Sequence, residues 1–147
     1  MRFLPLFLVT VLAACASMKS APYPEAQKII DRIADRHPDL VRLTLHAVPA
    51  GKTQCTQLAS TMAERRGKPS DPEDLDAMKT GKEIVLDEPG AIDVTVPILR
   101  KDGKPTAIAG VTLKATAGVN RDALVKRARV IAQELATEIQ AAGKPLW

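Results

Sequence analysis

Apolar positions recur with helical spacing in two parts of the chain, one near each end. The first stripe consists of Ala26, Ile29, Ile30 and Ile33. Pro24 suits the first turn of such a helix, and Pro38 stops it. The second stripe consists of Leu124, Ala128, Ile131, Leu135 and Ile139. Asn120 is a good N-cap for it and Gly143 ends it. The spacing predicts one long helix over residues 24–37 and another up to about residue 142.

Between these helices the apolar period changes to two, which indicates strands. Alternation predicts strands over residues 39–48, 53–62, 82–86, 92–100 and 106–116. A short helix over residues 72–79 interrupts them, with Ser70 or Asp71 as its cap and Gly81 at its end. Five antiparallel strands with helices packed outside predict a single α+β domain.

The turn between the first two strands sets which side chains face each other. Residues 49–52 read Pro-Ala-Gly-Lys, which is turn chemistry. If they form a four-residue loop, His46 opposes Cys55 and Thr44 opposes Gln57. Opposed side chains on one face lie about 5 Å apart at Cβ. The sequence therefore predicts that His46 and Cys55 are neighbours.

The first fourteen residues have the pattern of an export signal. Arg2 precedes an apolar run over residues 3–14, which is too short to span a bilayer core of about 30 Å. The run closes with Leu12-Ala13-Ala14-Cys15, which resembles the bacterial lipobox. That resemblance implies cleavage before Cys15 and a lipid on its thiol. An ordinary secreted protein, cut after an A-x-A-like site, is the alternative.

The residue after Cys15 bears on the destination. In Gram-negative lipoproteins an aspartate there retains the protein at the inner membrane, and this chain has Ala16. The resemblance therefore implies a periplasmic protein held to the outer membrane through the lipid on Cys15. The organisation expected is a signal peptide over residues 1–14, a lipidated tether over 15–23 and one domain over 24–143.

Composition excludes some classes of protein. The formal net charge is +4 and aromatic residues are 3% of the chain, so a dedicated nucleic-acid binder is disfavoured. There are two cysteines. With Cys15 lipidated, Cys55 has no partner in the chain, which rules out a disulfide scaffold. Cys55 is then either a small buried hydrophobe or a free thiol.

Several segments carry a resemblance to a known family. They are TQLAST (residues 56–61), GKPSDPEDL (67–75), TGK (80–82), VTVPIL (94–99) and IAGVTL (108–113). They resemble the Cache/PAS-like extracytoplasmic sensor domains of bacteria. In those domains an "IAS" strand leads to a "GkpSD" loop, and a "vPl … G … iG.l.l" hairpin follows. The resemblance covers most of residues 24–118 and implies a five-stranded antiparallel PAS/Cache-like sheet with a long N-terminal and a long C-terminal helix.

Such domains generally bind small molecules between the sheet and the overlying loops. By this resemblance Ser60, Thr61 and Asp71 are candidates for the rim of a pocket. Arg65 and Arg66 lie in the covering loop, where either could hold an anionic ligand or simply be solvated. The amino-acid-binding version uses a Tyr, Arg, Trp and Asp constellation. This chain has only Tyr23 and Trp147 as such aromatics, near its ends, so that ligand is not expected.

The predicted pair of His46 and Cys55 suggests a different chemistry. A strand histidine beside a thiol could ligate a soft metal or haem, or activate the thiol. Two ligands do not make a metal site, and no carboxylate with ligand spacing stands beside them in the sequence. No G-x-S-x-G, phosphate-binding glycine loop or H-E-x-x-H motif is present, which disfavours an enzyme. No cofactor is identified.

These observations leave three functions. The leading one is a lipid-anchored periplasmic domain that binds a small molecule and has no output module of its own. The second is a structural or interaction lipoprotein whose pocket is filled by its own side chains. The third is a metal- or haem-handling protein that uses His46 and Cys55. The near-heptad stripe of the last helix also permits pairing with a second copy or a partner protein.

Overall fold

The computed structural model describes residues 20–147. The predicted signal peptide, Cys15 and most of the tether lie outside these residues. Among the described residues, no helix is both long and apolar enough to cross a bilayer.

The described residues form three helices and five strands. The helices are α1 (Pro24–Arg36), α2 (Pro72–Thr80) and α3 (Arg121–Ala141). The strands are β1 (Leu40–Ala47), β2 (Thr56–Ser60), β3 (Ile84–Glu88), β4 (Ala91–Leu99) and β5 (Pro105–Lys114). One antiparallel sheet contains all five, in the order β2-β1-β5-β4-β3. A short 3-10 helix, Ala63–Arg65, lies between β2 and α2.

The apolar core lies between the sheet and the two long helices. Both predicted stripes pack there, with Ile139 only partly buried, against alternate residues of the central strands such as Leu43, Leu45 and Val111. Burying a side chain of this size contributes about 1.5–3 kcal/mol. Asn120 caps α3 by accepting hydrogen bonds from the N–H groups of Asp122 and Ala123. The two long helices thus cover one face of the sheet with a continuous apolar core.

The opposite face of the sheet has a different character. It is covered by α2 and the loop before it, and its inward side chains are mainly polar. Arg42, Thr44 and His46 alternate with the core residues along β1 and pair with positions on β5. Asp93 and Thr95 occupy the same face of β4. The sheet therefore separates an apolar layer from a polar one.

The predicted helices and strands agree with the structure more closely than the predicted register of the β1–β2 hairpin does. All five predicted strands and three predicted helices are present, with no end shifted by more than three residues. The hairpin register was wrong: His46 pairs with Gln57, and Thr44 pairs with Ser60. Two features cause this. Residues 48–55 all lie outside the strands, and the register shifts again between Leu45 and His46 at a bulge.

Candidate functional site

Buried polar side chains are concentrated between the sheet and α2. Thr44 and Ser60 join their hydroxyls at 2.9 Å across β1 and β2. Thr112 donates to Asp93 at 2.6 Å across β5 and β4. Burying polar groups costs free energy unless they are hydrogen-bonded, so such a layer is expensive to build. This face of the sheet is therefore the candidate functional site.

His46 and Asp74 form the centre of this layer. His46 Nδ1 lies 3.2 Å from Asp74 Oδ2, and the two residues are only 3% and 4% exposed. Asp74 is oriented from α2, where its carboxylate also accepts from the N–H of Asp71 at 3.1 Å. Thr95 donates to its other oxygen at 3.5 Å. No carboxylate with ligand spacing stands beside His46 in the sequence, and the fold supplies one from α2.

His46 reaches Cys55 only through Ser70. His46 Nδ1 lies 3.0 Å from Ser70 Oγ, which donates to Cys55 Sγ at 3.3 Å. Cys55 is buried and has no disulfide. Burial raises the pKa of its thiol, which keeps it protonated. The two residues are near each other as expected, but they are not directly paired, and the thiol is a poor nucleophile.

Burial acts in opposite directions on the two central groups. It lowers the pKa of His46 to about 3, because the imidazolium form would lose its water. It raises the pKa of Asp74 to about 7 for the same reason, helped by the nearby negative charges of Glu73, Asp71 and Asp93. Both shifts favour uncharged forms. Between these values the pair holds one proton and carries no net charge.

Two spaces adjoin this cluster. A recess of about 10 Å³, roughly enough for one water, is lined by His46, Asp74 and their neighbours. Gly110 forms part of its wall, and a Cβ there would stand 3.2 Å from His46 Nε2. An open cleft of about 510 Å³ lies beside the recess. The cleft is lined by Arg42, Gln57, Met62, Glu64, Arg65, Lys68, Pro69 and Asp71.

The recess and the cleft share a wall. Arg42, Arg65 and Asp71 line both spaces. Arg65 Nη1 lies 3.0 Å from Asp71 Oδ2, which closes part of this wall. Grooves of about 280 and 380 Å³ lie elsewhere against α3, and none of the predicted site residues lines them.

The predicted site residues divide into two groups. Arg65 and Asp71 line the cleft, and His46 lines the recess. Ser60, Thr61 and Arg66 instead hold the local backbone. Thr61 Oγ1 accepts from the N–H of Leu43, and Arg66 Nε donates to the carbonyl of Ser60. Cys55 is buried beside Ser70.

Sequence reasoning missed Arg42, Gln57, Lys68 and Asp74. The alternation that predicted β1 already placed Arg42 on the same face as Thr44 and His46. The polar face of β1 therefore carried a signal for Arg42 in the sequence. Asp74 carried no comparable signal, because an acid in the first turn of a helix is ordinary.

The acidic side chains on α2 do not by themselves make a metal site. Oxygens of Asp71, Glu73 and Asp74 lie within 4.8 Å of one another. Arg65 is already paired with Asp71, and the guanidinium of Arg42 lines the same recess. These two positive charges oppose a cation there. We therefore assign no metal to this cluster.

Comparisons with known proteins identify the fold. No protein-family model matches the chain, and no curated protein matches it. Three solved GAF domains are similar in structure. The GAF/HD protein of Geobacter sulfurreducens has a TM-score of 0.57 at 10% identity, covering 80% of this chain and 93% of its own. A GAF domain region from G. sulfurreducens PCA has a TM-score of 0.55 at 15% identity, covering 78% of this chain and 94% of its own.

The third is the GAF domain of an Acinetobacter phosphoenolpyruvate-protein phosphotransferase. Its TM-score is 0.51 at 14% identity, covering 87% of this chain and 89% of its own. GAF domains belong to the PAS-like fold superfamily. The PAS-like fold that was expected from the sequence is therefore confirmed. At these identities the likeness is one of fold alone, so the function has to be argued from the site.

Proposed function

We propose that this chain is a lipid-anchored periplasmic domain that binds a small molecule in the cleft over the sheet. The observation that carries the proposal is the cleft of about 510 Å³ beside the buried polar layer. Its volume lies in the range of small-molecule sites, and six of its eight lining residues are polar or charged. Most of its lining comes from residues 62–71, which include the loop that covers the pocket in the resembling sensor domains.

The local structure supports a preformed site. Gln57 anchors the inner wall, because its Nε2 donates to the carbonyl of Pro69 at 3.1 Å. Gln57 Oε1 is buried and has no hydrogen-bond partner among residues 20–147. An unsatisfied buried oxygen costs about 1–3 kcal/mol. A donor on a bound molecule, or a water held with it, would remove that cost.

A binding screen tests the proposal directly. The full-length chain in detergent micelles would be titrated with a library of neutral, anionic and cationic fragments, and backbone amide NMR shifts recorded. We expect hits that move the amides of Met62, Lys68 and Asp71. Glu64→Trp should block them, because Glu64 is exposed at the cleft. Lys126→Trp, on the exposed side of α3, is the matched control.

Two outcomes of this screen would contradict the proposed binding site. Hits that move only amides outside the cleft, or that bind equally well to Glu64→Trp, would overturn the proposed site. We propose binding and not catalysis. Ser70 and Cys55, the hydroxyl and thiol nearest His46, are buried. Burial also keeps the thiol protonated.

One observation favours a second function. The space directly between the sheet and α2 is almost filled, leaving a recess of about 10 Å³. A structural or interaction lipoprotein would have such a filled interior. Polar groups fill it here, whereas a purely structural core is normally apolar. We therefore rank the binding domain first, and the same NMR screen separates the two.

The location is proposed from the sequence before Pro24. An export signal that ends in a lipobox-like motif favours anchorage through Cys15, and Ala16 favours the outer membrane. Within the PAS-like superfamily this setting favours a Cache-like, extracytoplasmic role. We propose that the domain captures its ligand there and presents it to a separate partner. Pairing through α3 would use its outer side, since its apolar stripe packs in the core.

A further inference from the structure

The large aromatic side chains of this domain are confined to its two ends in sequence. The chain contains one Tyr, one Trp and two Phe, and both phenylalanines, Phe3 and Phe7, belong to the predicted signal peptide. Tyr23 immediately precedes α1, and Trp147 follows α3. The sequence between them contains no Tyr, Trp or Phe. Both side chains are partly buried against the edge of the core.

The fold brings these two aromatic residues to the same end of the domain. Ion pairs along α1 and α3 show that the two helices are antiparallel, so the start of α1 lies beside the end of α3. Lys144 Nζ lies 3.7 Å from Glu25 Oε2. Glu25 is two residues after Tyr23, and Lys144 is three residues before Trp147. This end of the helical layer therefore carries both rings.

The surface around residues 144–147 combines apolar side chains with charges that are already paired. Two open grooves, of about 280 and 250 Å³, flank this segment. Their apolar lining includes Ile29, Ile139, Pro145, Leu146 and Trp147. Their charged residues pair with one another, Lys144 with Glu25 and Arg32 with Glu138. Such a surface suits a partner that is bound through apolar contact and not through net charge.

The predicted lipid anchor is within reach of this end. Pro22 is held against the domain, because its Cγ lies 3.5 Å from where a Cβ on Gly67 would stand. Cys15 precedes Pro22 by seven residues, and a chain of that length spans at most about 25 Å. A lipid on Cys15 would therefore keep the start of α1 close to the bilayer. The opposite end of α3 lies about 30 Å away along the helix axis.

We propose that the end of the domain formed by Tyr23, Leu146 and Trp147 rests on the lipid bilayer, with these side chains at the level of the headgroups. Trp and Tyr are enriched at membrane–water interfaces because their rings combine an apolar body with a polar tip. Tethering makes a weak contact effective, since it becomes intramolecular once the lipid is inserted. The contact orients the domain, and the start of α3 then points away from the membrane. This inference rests on the proposed lipid anchor and adds a non-covalent contact to it.

Trp147 is the only tryptophan of the chain, so its fluorescence reports on this contact. The lipidated protein, with its adduct verified by intact mass, would be reconstituted into vesicles of phosphatidylethanolamine and phosphatidylglycerol. The vesicles would be made with or without brominated acyl chains, which quench tryptophan on contact. We expect brominated lipid to lower the emission of Trp147 about twofold or more, because a ring at headgroup level lies next to the chains.

Moving the reporter supplies the matched control. Val119 is 43% exposed and lies just before α3, at the end of the helix remote from Trp147. Combining Trp147→Phe with Val119→Trp places the single tryptophan there, and brominated lipid should leave its emission unchanged. Leu146→Ser keeps Trp147 as the reporter and should reduce its quenching, because serine removes apolar contact with the lipid. Urea unfolding checks that this variant is folded.

The results that would overturn the inference differ from those that would overturn the proposed function. Equal quenching at positions 147 and 119, or none at 147 in a lipidated protein, would show that this end does not face the bilayer, and would leave the anchor and the cleft intact. Loss of quenching at high salt or without phosphatidylglycerol would contradict an apolar contact.

Two further outcomes also count against the inference. An emission spectrum of Trp147 that depends on protein concentration but not on bromine would assign the surface to a second copy of the chain. Absence of an adduct on Cys15 would remove the anchor and this inference together, whereas the fragment screen alone decides whether the cleft binds a small molecule.

Discussion

The opposite pKa shifts of His46 and Asp74 determine how the burial of this pair affects stability. Folded, the pair loses protons near pKa values of about 3 and 7. Unfolded, ordinary aspartate and histidine lose theirs near about 3.9 and 6.5. The number of bound protons is therefore nearly the same in both states at every pH. The intact pair should contribute little pH dependence to the free energy of unfolding.

Breaking the pair should expose two opposite dependences. In Asp74→Asn, folded His46 stays neutral while the unfolded histidine takes up a proton below about pH 6.5. The free energy of unfolding is then highest above that pH, and it falls on acidification towards about pH 3. In His46→Gln, Asp74 has a raised folded pKa, so its stability is full below about pH 3.9 and falls as the pH rises to about 7.

Urea unfolding of the wild type and both variants between these pH limits checks this prediction. Each variant should show a slope of about 1.4 kcal/mol per pH unit, with opposite signs. Other charged groups face the pair and are unchanged in all three proteins, namely Arg42, Arg65, Asp71, Glu73 and Asp93. Two variants that follow the wild-type curve would show that burial does not shift the two pKa values in this way.

At the scale of elements, α1 holds the edge of the sheet through one side chain. Gln27 Nε2 donates to the carbonyl of Ser60, and Gln27 Oε1 accepts from the N–H of Ser60, both at 3.0 Å. The amide thus pairs with the backbone at the end of β2 much as another strand would. It satisfies buried backbone groups that no neighbouring strand reaches.

Replacing Gln27 with Leu should cost about 1–3 kcal/mol in the free energy of unfolding, because the buried N–H of Ser60 loses its acceptor. The carbonyl of Ser60 keeps a donor, since Arg66 Nε lies 2.9 Å away. Lys28→Leu, at the neighbouring exposed position of α1, is the control and should change stability by less than about 0.5 kcal/mol. Chemical denaturation measures both. Equal effects of the two substitutions would contradict the backbone-pairing role.

The elements also show where sequence reasoning reaches its limit. Proline, capping residues and left-handed glycine are local signals, and they located α2 to within a residue; Gly81 indeed ends it at φ 68°. The register of β1 and β2 depends on the length of residues 48–55 and on a bulge. A bulge without glycine leaves no mark in the sequence. The expected pairing of His46 with Cys55 failed for this reason.

At the scale of the whole molecule, the two faces of the sheet have different roles. The apolar face packs against α1 and α3 and was predictable from periodicity alone. The polar face takes its chemistry from segments far apart in sequence, such as Arg42, Arg65 and Asp74. Only the fold brings these together, which is why the candidate site was recovered in part. His46, Arg65 and Asp71 were found, whereas Arg42 and Asp74 were not.

The proposed lipid anchor would be a property of the whole chain, and the two cysteines make it testable. Cys15→Ser removes the thiol that would carry the lipid, whereas Cys55→Ala removes the buried thiol beside Ser70. Several acyl chains, at about 0.8 kcal/mol per buried methylene, should hold the domain firmly to a bilayer. In a Gram-negative host we expect the wild type and Cys55→Ala in the outer-membrane fraction, and Cys15→Ser released from it. Intact mass spectrometry should show a diacylglycerol adduct on the first two only. A wild-type protein that is cleaved, soluble and free of lipid would instead identify an ordinary secreted protein. The domain that carries the cleft would then diffuse freely.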